Sequence, residues 1–174
     1  MSELFATALS AYSSFARKSF IRKARQPLAT QDRYLQQLLQ IQQGTELGQQ
    51  FGLGSIRTIE QFRQQVPIWS YQDYEPYTER VWQGEPNVLT ADPVIYINLT
   101  SGSTGKQKKV PVTRRFHNSL GLANLYSAAF LMDSLKVHSA KLGRPLSPGR
   151  ILSANSARIQ GYTSAGIPYG PVTV

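Results

Sequence analysis

The sequence predicts an α/β fold in which N-terminal helices are followed by part of a mixed sheet with flanking helices. Two observations carry that prediction. Apolar residues recur at helical spacing through much of residues 1–84, and the β-branched run Val94-Ile-Tyr-Ile-Asn-Leu99 then opens an alternation of strands and helices. A third is length: 174 residues suffice to bury a sizeable core. No internal repeat, low-complexity tract or interdomain linker breaks the chain. It reads as a helical start at 1–84, a strand-loop-strand and helix at 94–142, and a strand with a loop tail at 150–174.

Leu4, Phe5, Ala8, Leu9, Tyr12, Phe15, Ala16 and Phe20 recur at three- and four-residue steps and predict an amphipathic first helix. Arg17, Lys18, Arg22, Lys23 and Arg25 near its C-terminal end suit the helix dipole, and the same pattern is also compatible with a membrane surface or a targeting peptide. A second helix is expected after Pro27, with Tyr34, Leu35, Leu38, Leu39 and Ile41 as its stripe and Gly44 as its stop. Thr58-Ile-Glu-Gln61 fits a capping box for a short helix ending before Pro67. Ser70 caps the next, which passes through Pro76 to Trp82 and stops at Gly84. Trp69, Tyr71, Tyr74, Tyr77 and Trp82 fit core packing better than an aromatic ligand cage.

Strands are expected at Val94–Leu99 and Val110–Thr113. Thr113 then caps a long helix carrying Leu120, Leu122, Leu125, Ala129, Leu131, Met132 and Leu135, closed by Gly143 and Pro145. Ile151–Ala154 reads as a strand, and the Gly- and Pro-rich tail from Gln160 reads as loop.

Between the two strands runs Thr100-Ser-Gly-Ser-Thr-Gly-Lys-Gln-Lys-Lys109. Gly102 and Gly105 permit positive φ and close backbone approach, so successive N–H groups can converge on an anion. Ser101, Ser103 and Thr104 add hydroxyl donors, and Lys106, Lys108 and Lys109 add point charges. The composition points to a phosphate; the alternative is a polar hairpin loop with no ligand. A Walker A loop is excluded, because only Ser103 and Thr104 separate the glycines and Gln107 follows Lys106. A dinucleotide fingerprint is excluded for want of a third glycine opening a helix.

Nineteen Lys plus Arg against ten Asp plus Glu give a formal charge of +9, which raises nucleic acid or an anionic membrane as partners. Aromatic-studded RNA motifs and zinc spacings are absent, so no specific nucleic-acid role is expected. The absence of cysteine excludes disulfides and thiolate chemistry, and His117 and His138 alone do not make a metal site. No apolar run reaches the roughly twenty residues of a bilayer span. A cytoplasmic location is the expectation.

Read in order, Thr-Ser-Gly-Ser-Thr-Gly-Lys-Gln-Lys-Lys-Val resembles the phosphate-binding signature of the acyl-adenylate-forming superfamily. It departs at Gln107, where proline is usual, and at Lys109, where glycine commonly follows the lysine. Three further stretches, Thr45–Leu53, Phe62–Tyr77 and Leu89–Pro93, resemble the auxin-responsive-promoter family of acyl-acid amido synthetases, as does Gly166-Ile-Pro-Tyr-Gly170 more briefly. The resemblance implies an incomplete N-terminal portion of an adenylate-forming enzyme domain, with ATP and Mg2+ as cofactors and a carboxylic acid and an amino acid as substrates. It implies Lys108 and Thr104 as catalytic residues. Thr100, Ser101, Gly102, Ser103, Thr104, Gly105, Lys106 and Lys108 would bind the triphosphate, and no metal ligand can be named. Family features beyond this segment, including the adenine and ribose contacts, are not in the chain, so inactivity of the chain alone is expected. A basic nucleic-acid- or membrane-binding module and a non-catalytic remnant are the alternative readings.

Overall fold

The computed structural model describes residues 3–100, 107–146 and 156–173. In chain order the helices are α1 (Glu3–Ala24), α2 (Pro27–Gln42), α3 (Glu46–Gln50), α4 (Ile59–Gln65), α5 (Tyr71–Trp82) and α6 (Arg114–Leu142), with a short 3-10 helix at Leu53–Ser55. The strands are β1 (Val94–Thr100), β2 (Lys108–Thr113), β3 (Ser156–Ala157), β4 (Gly161–Tyr162), β5 (Pro168–Gly170) and β6 (Val172–Thr173). The chain divides into two compact units, Met1–Thr30 with Asn118–Ser153, and Gln31–His117 with Ala154–Val174.

In the first unit, aromatic packing joins the two long helices. Phe20 of α1 lies 5.1 Å from Tyr126 and 5.6 Å edge-on from Phe130 of α6, and Arg17 pairs with Asp133 at 3.5 Å. Ala16 and Ala129 are buried. Gly143 takes the left-handed conformation (φ 62°) and ends α6 where the sequence placed its stop.

The second unit is built on a four-stranded mixed sheet in the order β2-β1-β5-β4. β1 pairs antiparallel with β2 and parallel with β5, and β5 pairs antiparallel with β4. Ile97 and Leu99 alternate with less buried neighbours along β1, as a period-2 strand requires, and Ile97 is fully buried. Ile56, Val81, Val88 and Leu39 complete the core. A register shift between Val94 and Tyr96 bulges β1 near its start.

Local chemistry explains most element ends. Pro27 is the first residue of α2, where its missing N–H costs no bond. Thr58 and Gln61 form the expected capping box, and Ser70 with Asp73 forms another at α5. The carboxylate of Asp73 is held below its ordinary range by the Ser70 hydroxyl and backbone N–H. α2, however, stops at Gln42 through a different device from the expected Gly44. The Gln42 carbonyl accepts both the backbone N–H (3.0 Å) and the hydroxyl (2.8 Å) of Thr45, whose oxygen then caps α3 by accepting from Gly48 N–H at 2.9 Å.

The tail departs from its reading as loop, since β4, β5 and β6 all fall within 161–173. These strands are too short to show a hydrophobic alternation. They are set by pairing, β5 with β1, β4 with β5 and β6 with β3, and Pro168 stands at the first position of its strand, where proline is tolerated. A side chain at Gly170 would run into the carbonyl oxygen of Arg158, so this position needs glycine. The expected strand Ile151–Ala154 lies outside the described residues.

Candidate phosphate site

β1 and β2 form an antiparallel hairpin whose last described pair is Thr100 opposite Lys108, with Leu99 opposite Lys109 behind it. The two strands therefore deliver Thr100 and Lys108 to the mouth of the hairpin from opposite sides. Ser101, Gly102, Ser103, Thr104, Gly105 and Lys106 lie outside the described residues. β2 begins two residues earlier than Val110, the start its hydrophobic pattern gave.

The extra length of β2 is secured from α5. Lys109 donates its backbone N–H to the Tyr71 hydroxyl oxygen at 2.8 Å, and its ammonium sits 2.7 Å from each oxygen of Glu79. The same ammonium lies 4.3 Å from the centre of the Trp82 ring. Tyr71, Glu79 and Trp82 are eight and eleven residues apart, which places them on one stripe of the helix. Lys109, one of the three lysines read as point charges for the loop, is instead paired and half-buried.

Lys108 has a different environment. Its side chain is exposed, its ammonium stands 5.4 Å above the Tyr71 ring, and among the described residues no carboxylate pairs with it. An aromatic face orients an ammonium without cancelling its charge. Thr100 and Lys108 are thus brought together with a hydroxyl and a positive charge at one edge, an arrangement that suits an anion.

The far end of the hairpin is tied down separately. Asp92, just before β1, receives Arg115 Nε at 2.8 Å and Nη2 at 2.9 Å, and Gln42 Nε2 at 3.1 Å. Hydrogen bonding from Arg115 is the main reason its carboxyl is held below the ordinary carboxylate range, with Gln42 adding to it. A third charged cluster, Arg80 between Glu46 and Glu85, ties α5 to α3 and to the segment after α5. Both carboxylates are shifted downward by it.

The five aromatic residues around α5 split by face. Trp69 stacks with Phe51, Tyr74 and Tyr77 at 4.9–5.8 Å, whereas Tyr71 and Trp82 turn to β2, and Trp82 also meets Tyr169 at 4.5 Å. His117 is exposed. Among the described residues no three acidic, histidine or cysteine side chains converge on one point. Two open cavities of about 420 and 480 Å³ border Asp92 and Arg80 respectively. Tyr71 and Glu79 were not among the residues singled out for the site. Their spacing on a helix was visible, but nothing local says which strand that helix meets.

The fold aligns with that of a solved GH3.15 acyl acid amido synthetase at a TM-score of 0.61 and 23% identity, covering 81% of this chain and 24% of that one. A second structure, AtGH3.15 in complex with 2,4-DB, aligns at 0.57 over 80% of this chain. The GH3 family N-terminal domain matches residues 16–174, and the chain belongs to the GH3 family. Relatives include the jasmonoyl-L-amino acid synthetase JAR4 of Nicotiana attenuata, 30% identical over 82% of this chain and 24% of the relative. A probable indole-3-acetic acid-amido synthetase, GH3.12 of Oryza sativa subsp. japonica, is 37% identical over 52% of this chain and 15% of its own. The chain therefore spans about a quarter or less of the length of these relatives. Among the described residues no helix is long and apolar enough to cross a membrane.

Proposed function

We propose that this chain forms the nucleotide-phosphate-binding part of an ATP-dependent acyl-acid amido synthetase. In the overall reaction a substrate carboxylate oxygen attacks the α-phosphorus of ATP, forming a C–O–P linkage and releasing pyrophosphate with the electron pair of the broken P–O bond. An amine, taken to be that of an amino acid, then forms a C–N bond at the acyl carbon, and AMP departs with the electrons of the broken C–O bond. A proton leaves the nitrogen.

This chain contributes positioning and charge to the first step. Lys108 offsets the negative charge that builds on the departing phosphates. The hydroxyls of Thr100, Ser101, Ser103 and Thr104 donate to phosphate oxygens, Gly102 and Gly105 admit them, and Lys106 adds a flexible cation. Magnesium would travel with the triphosphate; the mechanism assigns it no ligand among the described residues. Turnover is proposed to need the portion of the family fold that this chain does not span.

The observation that supports the reading most directly is the unlike treatment of two adjacent lysines. The charge of Lys109 is paired with Glu79, while that of Lys108 meets no carboxylate among the described residues at the hairpin mouth beside Thr100. The test is ATP–pyrophosphate exchange with a panel of carboxylic acids, in a protein joining this chain to the rest of a GH3 fold. Replacing Lys108 and Thr104 together by alanine should lower exchange at least about tenfold, the scale of losing preorganised donors to developing charge. An undiminished rate would remove the loop from the reaction.

A further inference from the structure

We infer that Tyr71 and Glu79 are positioning residues for the phosphate site, and that Lys109 is the latch through which they act. This rests on the phosphate-site reading above. Two neighbouring lysines of one strand carry the same charge, so sequence does not separate their roles. Their surroundings do.

Every named contact of the Lys109 side chain leads to α5: both oxygens of Glu79 at 2.7 Å and the face of Trp82 at 4.3 Å. Its backbone N–H, given to the Tyr71 hydroxyl, leads there too. Tyr71 does double duty, since its oxygen holds the Lys109 backbone while its ring lies beneath the Lys108 ammonium. The helix thereby fixes the height and register of Lys108, and with it the Thr100 edge directly opposite.

Charge accounting points the same way. Pairing with Glu79 commits the Lys109 ammonium to α5, so the attraction for a polyanion lies at the hairpin mouth. Because phosphate displacement depends on orientation more than on covalent help from the protein, losing the latch should slow the chemical step while leaving binding largely intact.

The test uses steady-state ATP–pyrophosphate exchange by the complete enzyme, with thermal melts of every variant. Glu79→Gln and Lys109→Ala should each lower kcat about tenfold with KM for ATP changed by less than about twofold. The double variant should be no worse than either single one, because both remove one interaction. Lys109→Arg, whose planar fork suits a carboxylate, should recover most of the rate. Tyr71→Phe, which keeps the ring under Lys108 and loses the acceptor, should fall between.

If Lys109→Ala raises KM for ATP while Glu79→Gln lowers it, Lys109 is itself a phosphate ligand and the latch is refuted. Independent effects that multiply in the double variant refute it equally. Lys108→Ala separates this inference from the one beneath it. A loss with Lys108→Ala but none with Glu79→Gln overturns the latch alone, whereas no loss with Lys108→Ala overturns the phosphate site.

Discussion

Replacing Asp92 by asparagine removes a charge while keeping the shape of the side chain, and its cost follows from where that charge sits. The Asp92 side chain is 15% exposed and Arg115 is 40% exposed. Exposed ion pairs contribute about 0–1 kcal/mol, and stranding one partner of a fully buried pair costs about 3–5 kcal/mol. This fork-shaped pair, also bonded by Gln42, falls between them, so the expected loss is about 2 kcal/mol. With a urea dependence of about 2 kcal/mol per molar, the unfolding midpoint should drop by about 1 M. Tryptophan fluorescence is the right probe, because both tryptophans, Trp69 and Trp82, lie in the same compact unit as Asp92.

The same pair has a pH signature. Its folded-state carboxyl is held below the ordinary value of 3.8, chiefly by hydrogen bonds from Arg115. A depressed carboxylate contributes its full stability above the unfolded value and loses it as pH falls through the folded one. The gap between the natural chain and Asp92→Asn should therefore be constant from about pH 7 to about pH 5 and narrow as pH falls below the ordinary carboxylate value of 3.8. A midpoint shift under about 0.3 M, or a gap that survives at the acid end, would refute the reasoning.

Two further perturbations test the frame around the site. Thr45→Val should cost about 1–3 kcal/mol in urea unfolding, because Thr45 is 1% exposed and its loss strands the buried Gly48 N–H; Thr45→Ser should cost less. Gly84→Ala should destabilise by about 1–3 kcal/mol, read as a lower Tm, since Gly84 holds φ 91° and an added methyl would meet the Cβ of Ala165.

Much of the helical framework was legible locally. Pro27, the Thr58–Gln61 box, Ser70 and Gly143 each mark an element end through chemistry confined to a few residues. α3 was not legible, because five residues are too few to show a period and its start depends on a threonine shared with the end of α2. Nor were β4 to β6, whose few residues are placed by their partners: β5 by β1, β4 by β5 and β6 by β3.

At the site, sequence determined the kinds of group available: hydroxyls, glycines and lysines between two strands, in an order that carries a family likeness. That information is composition and order along the chain, which no folding alters. What the tertiary structure alone decided is which of two equivalent lysines has its charge paired by a carboxylate among the described residues. Lys109 meets Glu79 because α5 packs against β2, a contact 30 residues distant along the chain, and Lys108, one position away, faces an aromatic ring instead. Electrostatics depends on separation in space, and only the fold sets that separation.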